Sequence, residues 1–236
     1  MQMKVVERLL LSDIAVISIL ATDAWLTRLT TGPAAHRLAG VPVYVAPKES
    51  LEGIVGFHLH QGIMAVGRVP AERELMELVR ALPADHLLVA LDGLANAENV
   101  GVVVRNCAAF GVDALIVGRT SSSPYLRRAV RNSMGTVFTL PIAHVDDLGA
   151  ALDALHSTFG TAILGTTPAG ATDLADAPLT GPCCLVLGSE GDGLPQELLA
   201  RCSGRVAIRM ENQTDSLNVA SASAVVLYEA RRQRMK

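Results

Sequence analysis

The chain has 236 residues, half of them hydrophobic, enough for one large domain or a medium and a small one. Its formal net charge of −3 excludes a polycation, so any nucleic-acid surface must be local. Aromatic residues make up only 3%, which leaves the core to Ala, Val, Leu and Ile, a composition that with regular Gly suits alternating strands and helices.

In chain order, Lys4–Leu11 reads as a helix, Ile14–Leu20 as a buried strand, Thr22–Thr30 as a helix capped by Thr22 or Asp23, Val41–Ala46 as a strand, Ser50–Val55 as a helix and Ile63–Gly67 as a strand. This small α/β unit begins with a helix where a strand is expected, which suggests a truncated start. Arg68 to Ala71 breaks the pattern, and Glu72–Leu82 is an amphipathic helix closed by Pro83. The expected division is residues 1–69, a linker helix over 70–84, and a second domain over 85–236. There the predicted strands are Leu87–Leu91, Ala114–Val117, Val137–Leu140, Thr161–Gly165, Cys183–Leu187 and Val206–Ile208. The predicted helices are Asn99–Phe110, Tyr125–Asn132, Asp146–Phe159, Pro195–Cys202 and a last one beginning after Asn218, capped by Asp215 or Ser216. This alternation implies a mostly parallel sheet covered on both faces, with ligands beyond the carboxyl ends of its strands.

Cys107, Cys183, Cys184 and Cys202 show no metal-ligand spacing and read as buried, reduced thiols; no metal is expected. No run reaches the ~18 apolar residues of a membrane span, and the start lacks the order of a signal peptide. The expected location is the cytoplasm.

Three loops carry unusual polar residues. In the first, Asn99 sits at the predicted helix start and reads as its cap, and Arg105 lies inside an apolar run, VGVVVRNCAAFG, where its charge needs a partner, a polar cavity or a path to the surface. The second, Leu187 to Leu194 (LGSEGDGL), has three glycines spaced G-x-x-G-x-G, neither a dinucleotide fingerprint nor a P-loop, and Glu190 disfavours a phosphate cradle. The third runs from Ile208 through a polar loop to Ser216, Leu217 and Asn218, then into a helix start crowded with Ala and Ser.

In order and spacing these segments resemble the SpoU family of RNA ribose methyltransferases, within the SPOUT superfamily. Asn99-Val-Gly with Arg105 and Phe110-Gly111 is similar to its first motif, and Leu187 to Gly193 to its second. Ile208-Arg-Met, Ser216-Leu-Asn-Val and Leu227-Tyr-Glu are similar to its third. Arg131-Asn-Ser133-Met-Gly135 fits a family position between the first two. Two departures stand out: Asn96-Ala97 where the family has Asp-Pro, and Arg209 where it has Pro. The first unit, with His58-Leu-His60-Gln-Gly-Ile63 at its close, is similar to the L30e-like substrate-binding domain that many members carry.

The resemblance implies a trefoil knot, a homodimer with active sites at its interface, and methyl transfer from S-adenosylmethionine to a ribose 2′-hydroxyl in RNA. It implies catalytic roles for Arg105, Asn99, Glu190, Ser216 and Asn218. The cofactor is expected against Gly188, Ile208 and Leu217, flanked by Leu187 and Met210. Arg127, Arg128, Arg131 and Ser133, beside Arg119, are expected to meet RNA, and the tail Arg231, Arg232, Arg234 and Lys236 is a second basic candidate. The extra domain points to ribosomal RNA, 23S, over transfer RNA. The alternatives are a transfer RNA methyltransferase, a silent RNA binder, and a dinucleotide-dependent oxidoreductase, which the glycine spacing disfavours.

Overall fold

Two units make up the chain: Met1–Ala71 with Met134–Thr139, and Glu72–Ser133 with Leu140–Lys236. The computed structural model describes residues 2–59, 61–167, 171–211 and 216–235, residues 2–4 by their backbone alone.

The first unit contains helix α1 (Gln2–Leu11), strand β1 (Val16–Ala21), helix α2 (Asp23–Thr31), strand β2 (Val43–Val45), helix α3 (Lys48–Val55) and strand β3 (Ile63–Gly67). The strands form one sheet in the order β2-β1-β3, with β2 parallel and β3 antiparallel to β1. Val6 and Leu10 of α1 and Leu29 of α2 bury against Ile19, Ala21 and Ile63. Glu52 receives the Leu59 backbone N–H at 2.9 Å and pairs with His58 at 2.8 Å. His60, the second histidine of the expected signature, lies outside the described residues.

The second unit begins with helix α4 (Leu75–Arg80), shorter than the predicted linker helix. Glu74 fixes its start: the carboxylate accepts from Met76 N at 2.9 Å and Glu77 N at 2.7 Å, satisfying two N–H groups that have no partner within the helix. Strand β4 (Leu87–Leu91), helix α5 (Ala97–Phe110), strand β5 (Ala114–Gly118), helix α6 (Arg127–Asn132), strand β6 (Ile142–Val145), helix α7 (Leu148–Phe159) and strand β7 (Ala162–Thr166) follow. Strand β8 (Thr172–Asp173), strand β9 (Cys183–Leu187), helix α8 (Gln196–Leu199), strand β10 (Gly204–Ala207) and helix α9 (Val219–Arg234) complete it. The seven strands are ordered β6-β5-β4-β9-β7-β10-β8, and every pairing is parallel. The central strands LLVAL, ALIVG and CCLVL are buried at every residue, as a sheet covered on both faces requires.

Three expectations are corrected by the structure. The strand predicted at Val137–Leu140 is a short 3-10 turn (Thr136–Phe138), and β6 starts after Pro141. Proline has no N–H to donate, but its carbonyl accepts from Leu115 N at 2.9 Å, so Pro141 opens the ladder where a sequence reading ends it. Asn99 is not a cap: Asn96 is, accepting from Glu98 N at 2.8 Å. The last helix is capped by Asn218, whose Oδ1 accepts from Ala220 N at 2.9 Å, and not by Ser216; Asp215 lies outside the described residues. Strand β8 was not anticipated, because two residues carry no periodic signal.

Burial pushes all four cysteine thiols up, so they are protonated near neutral pH. No helix is long and apolar enough to cross a membrane, and no group of three or more His, Cys, Asp or Glu side chains among the described residues could hold a metal ion.

Helix α5 meets α6 at Gly101, where an added Cβ would lie 2.8 Å from both Ala129 Cα and Asn132 Cβ. Gly101→Ala therefore costs about 1–3 kcal/mol of stability by overpacking, read as a lower urea midpoint at unchanged slope. The two backbone N–H bonds hold the Glu74 carboxyl below its ordinary value of 4.5. The stabilisation this cap gives is fully present above that ordinary value and is lost as pH falls through the lowered one, which carboxyl NMR titration of Glu74 will show.

Candidate functional site

Parallel pairing puts the carboxyl ends of β7, β9 and β10 on one rim, and each ends in a polar or glycine-rich loop. Together with the start of α9 they enclose a cleft of about 420 Å³. That size lies in the range of pockets for ligands of nucleoside size and larger, ~300–1,000 Å³. Leu187 and Gly188 enter from β9, Ile208 and Met210 follow β10, and Leu217 precedes α9: every residue expected to touch cofactor lines this one cleft. Glu190 and Ser216 line it too; Asn99, Arg105 and Asn218 do not.

The β9 loop is shaped from within. Ser189 and Gly193 pair as an isolated bridge, and Asp192 N donates to Ser189 Oγ at 3.2 Å. Gly188 permits this closure, since a Cβ there would lie 2.6 Å from Gly193 O and Leu194 N. The loop then holds two carboxylates, Glu190 and Asp192, at an otherwise apolar cleft walled by Leu187, Ile208, Leu217 and Val226. Such a wall suits a flat heterocycle, and the carboxylates suit a positively charged group beside it. S-adenosylmethionine carries both, so the residues present fit it. Thr166 and Thr167, at the end of β7, also line the cleft and were missed by sequence reasoning. Thr166 Oγ1 donates to Val186 O at 2.9 Å, a bond between β7 and β9 that no local pattern announces.

Two side-chain links tie the motif segments together. Asn99 Nδ2 donates to Glu190 Oε1, joining the first turn of α5 to the glycine loop. Asn106 Nδ2 donates to Ala220 O and to Ser223 Oγ, each at 2.9 Å, joining α5 to α9; Ser223 is fully buried. Phe110 and Tyr228 add an edge-to-face ring contact 6.2 Å between centroids. Asn106 was missed, although it sits in the first motif beside Arg105.

Arg105 is not buried. Its side chain is exposed, on the face of α5 that also carries Glu98, Ala108 and Ala109, and it has no hydrogen-bond or ion-pair partner among the described residues. Positions 98, 105, 108 and 109 recur at helical spacing, so the apolar run around Arg105 has a solvent side made of alanine. Arg127, Arg128 and Arg131 are exposed on α6, opposite the buried Ala129. Ser133 corrects the expected RNA set: it is fully buried and its Oγ donates to Val130 O at 2.9 Å. The tail is likewise engaged, with Arg232 in two 2.7 Å bonds to Glu229 and Arg234 turned to backbone carbonyls and Cys183 Sγ; Lys236 lies outside the described residues.

Known proteins resemble this chain in sequence and in fold. The chain is 35% identical to an uncharacterized tRNA/rRNA methyltransferase of Mycobacterium tuberculosis over 97% of its own length and 78% of the relative's. It is 34% identical to the 23S rRNA (guanosine-2′-O-)-methyltransferase RlmB of Xanthomonas campestris, over 88% of this chain and 84% of that one. Among solved structures, the SpoU methyltransferase AviRb of Streptomyces viridochromogenes in complex with AdoMet superposes with a TM-score of 0.82 at 26% identity, covering 98% of this chain and 87% of AviRb. The model of the SpoU rRNA Methylase family matches residues 86–228, which take in the first two motif segments, the third as far as Tyr228, and every residue that lines the cleft. On that match the chain belongs to the SpoU rRNA methylase family.

Proposed function

We infer that the chain is an S-adenosylmethionine-dependent RNA methyltransferase acting on a ribose 2′-hydroxyl, with 23S ribosomal RNA as its substrate. The observation that carries this reading is the single cleft on the strand-end rim, lined by residues of the second and third motifs and bordered by two carboxylates. The likeness to RlmB supports the ribose and the 23S RNA.

When bound, S-adenosylmethionine supplies a methyl group already activated by its positive sulfur. The chain's residues hold the acceptor oxygen in line and stabilise the charge it develops. Positioning of this kind supplies up to about 10 kcal/mol. Glu190, held by Asn99, orders the loop beside the cleft. Arg105 stabilises the developing alkoxide as a permanent cation; a guanidinium does not give up its proton in a protein, so it is not the base. Asn218 fixes the helix start behind Leu217, and Ser216 approaches the ribose. The exposed arginines of α6 meet RNA phosphates.

An exposed Arg105 is reconciled with catalysis by a homodimer whose second copy completes the site. The exposed Val225 and Tyr228 on α9, at 41% and 59%, supply apolar surface for that contact. We propose further that the last segment forms a trefoil knot, a reading supported by β9 and β10 lying inside the sheet and not at its edge. Residues 1–69 then act as an L30e-like RNA-binding domain, 70–84 as the linker and 85–236 as the methyltransferase domain, in the cytoplasm.

Calorimetry detects S-adenosylmethionine binding to the wild type, and Leu217→Asp weakens it at least tenfold; no heat at any concentration refutes the cofactor assignment. Arg105→Ala slows single-turnover methyl transfer by about 10²–10³-fold with cofactor and RNA binding retained, and Arg105→Lys by less. Mapping ribose methylation in 23S RNA from a deletion strain identifies the nucleotide as the one that loses its methyl group.

A further inference from the structure

A second, smaller pocket of about 150 Å³ opens on the same rim of the second unit, at the ends of β5 and β6. Its floor is Val117, Gly118 and Val145. Its polar wall is mixed: Arg119, His144, Ser121 and Ser123 on one account, Glu72 and Asp146 on the other. Ser121 Oγ accepts from Leu94 N at 3.1 Å and Ser123 Oγ accepts from Tyr125 N at 3.3 Å. Each hydroxyl therefore keeps its own proton to donate. No ion pair joins Arg119 to Glu72 or Asp146 among the described residues. The pocket thus presents free donors and free carboxylate acceptors over a small apolar floor.

Two carboxylates exclude a bare phosphate as the natural occupant, and the pocket is too small for a second S-adenosylmethionine. A flat heterocycle with both kinds of edge fits. Guanine offers two acceptors, O6 and N7, to a guanidinium, and two donors, N1–H and the 2-amino group, to a carboxylate. Adenine and cytosine each present one donor group, the exocyclic amine, and uracil one, N3–H, so none of them offers a carboxylate two donors side by side. In sheet order the pocket lies two to three strand spacings from the cofactor cleft, about 10–14 Å along the rim. That separation excludes the ribose being methylated but suits a neighbouring nucleotide of a single-stranded segment, whose splayed base is read at its edges.

We propose that this pocket holds one guanine base of the substrate RNA, from a nucleotide other than the one methylated, with Arg119 and Asp146 as its specificity residues. The proposal rests on the RNA methyltransferase reading. It makes the β5 and β6 ends a selector of sequence context, separate from the α6 arginines that serve any RNA.

The test titrates isotope-labelled full-length protein with guanosine, inosine and adenosine 5′-monophosphates and with inorganic phosphate, read by NMR. The guanosine nucleotide is expected to shift the His144 ring and the Arg119, Ser121 and Ser123 amides. The inosine nucleotide, without the 2-amino group, should bind several-fold more weakly and the adenosine nucleotide about tenfold more weakly. Arg119→Ala should abolish the shifts, and Asp146→Asn should erase the preference for guanine over hypoxanthine. Equal response to adenosine monophosphate, the same shifts from phosphate alone, or shifts confined to Ile208 and Leu217 would overturn the guanine pocket. Methyl transfer to unmodified ribosomal RNA is measured on the same preparations. Both variants should raise KM for RNA about tenfold, with kcat and S-adenosylmethionine affinity within twofold of wild type. Wild-type transfer with unchanged KM in the variants refutes the pocket alone; guanine binding without any wild-type transfer refutes the RNA reading and leaves a guanine site.

Discussion

Parallel pairing is the constraint from which the rest of the second unit follows. When all seven strands run one way, every strand-to-helix loop is delivered to the same rim, and the opposite rim receives only the returns. Segments more than a hundred residues apart in sequence then become neighbours without any attraction of their own. The cofactor cleft and the smaller pocket are two places on that rim, set apart by the order of the strands beneath them.

Pairing alone does not fix side chains, and here hydrogen bonds between elements do so. Asn106 reaches α9 through Ala220 and Ser223, and Asn99 reaches the glycine loop through Glu190. One helix, α5, thereby sets the positions of two of the cleft's walls. Its close approach to α6 at Gly101 extends that control to the helix bearing the exposed arginines. A half-buried amide and a buried hydroxyl that satisfy one another specify a single relative placement of two helices, which apolar contact alone does less sharply.

Much of this was legible in the sequence. The buried runs of β4, β5 and β9 announced central parallel strands, and the glycine loop and the Ser216–Asn218 stretch announced a site at their ends. What escaped was whatever depends on a distant partner. Thr166 gains its place from a carbonyl twenty residues on, and Asn106 from a helix more than a hundred residues away. Pro141 read as a stop because its missing N–H is visible in sequence and its bonded carbonyl is not. The sequence left Arg105 between a cavity and the surface because alanine and valine look alike in an apolar run, yet here the alanines mark the solvent side. The caps fell on Asn96 in place of Asn99 and on Asn218 in place of Ser216 for a related reason: capping is decided by which residue leaves the helix first, and that is a matter of a few positions.

Helix α9 crosses the sheet from rim to rim. Its first turns wall the cleft, while at the far end of its sixteen residues, about 24 Å in all, Arg234 grips the carbonyls of Asp85 and Gly181 at the amino ends of β4 and β9. A nascent chain interrupted after Ala207 would already possess all its strands and yet no wall for the methyl donor. Such a fragment would keep the framework of the sheet and have no means of consuming donor until α9 closed over the rim.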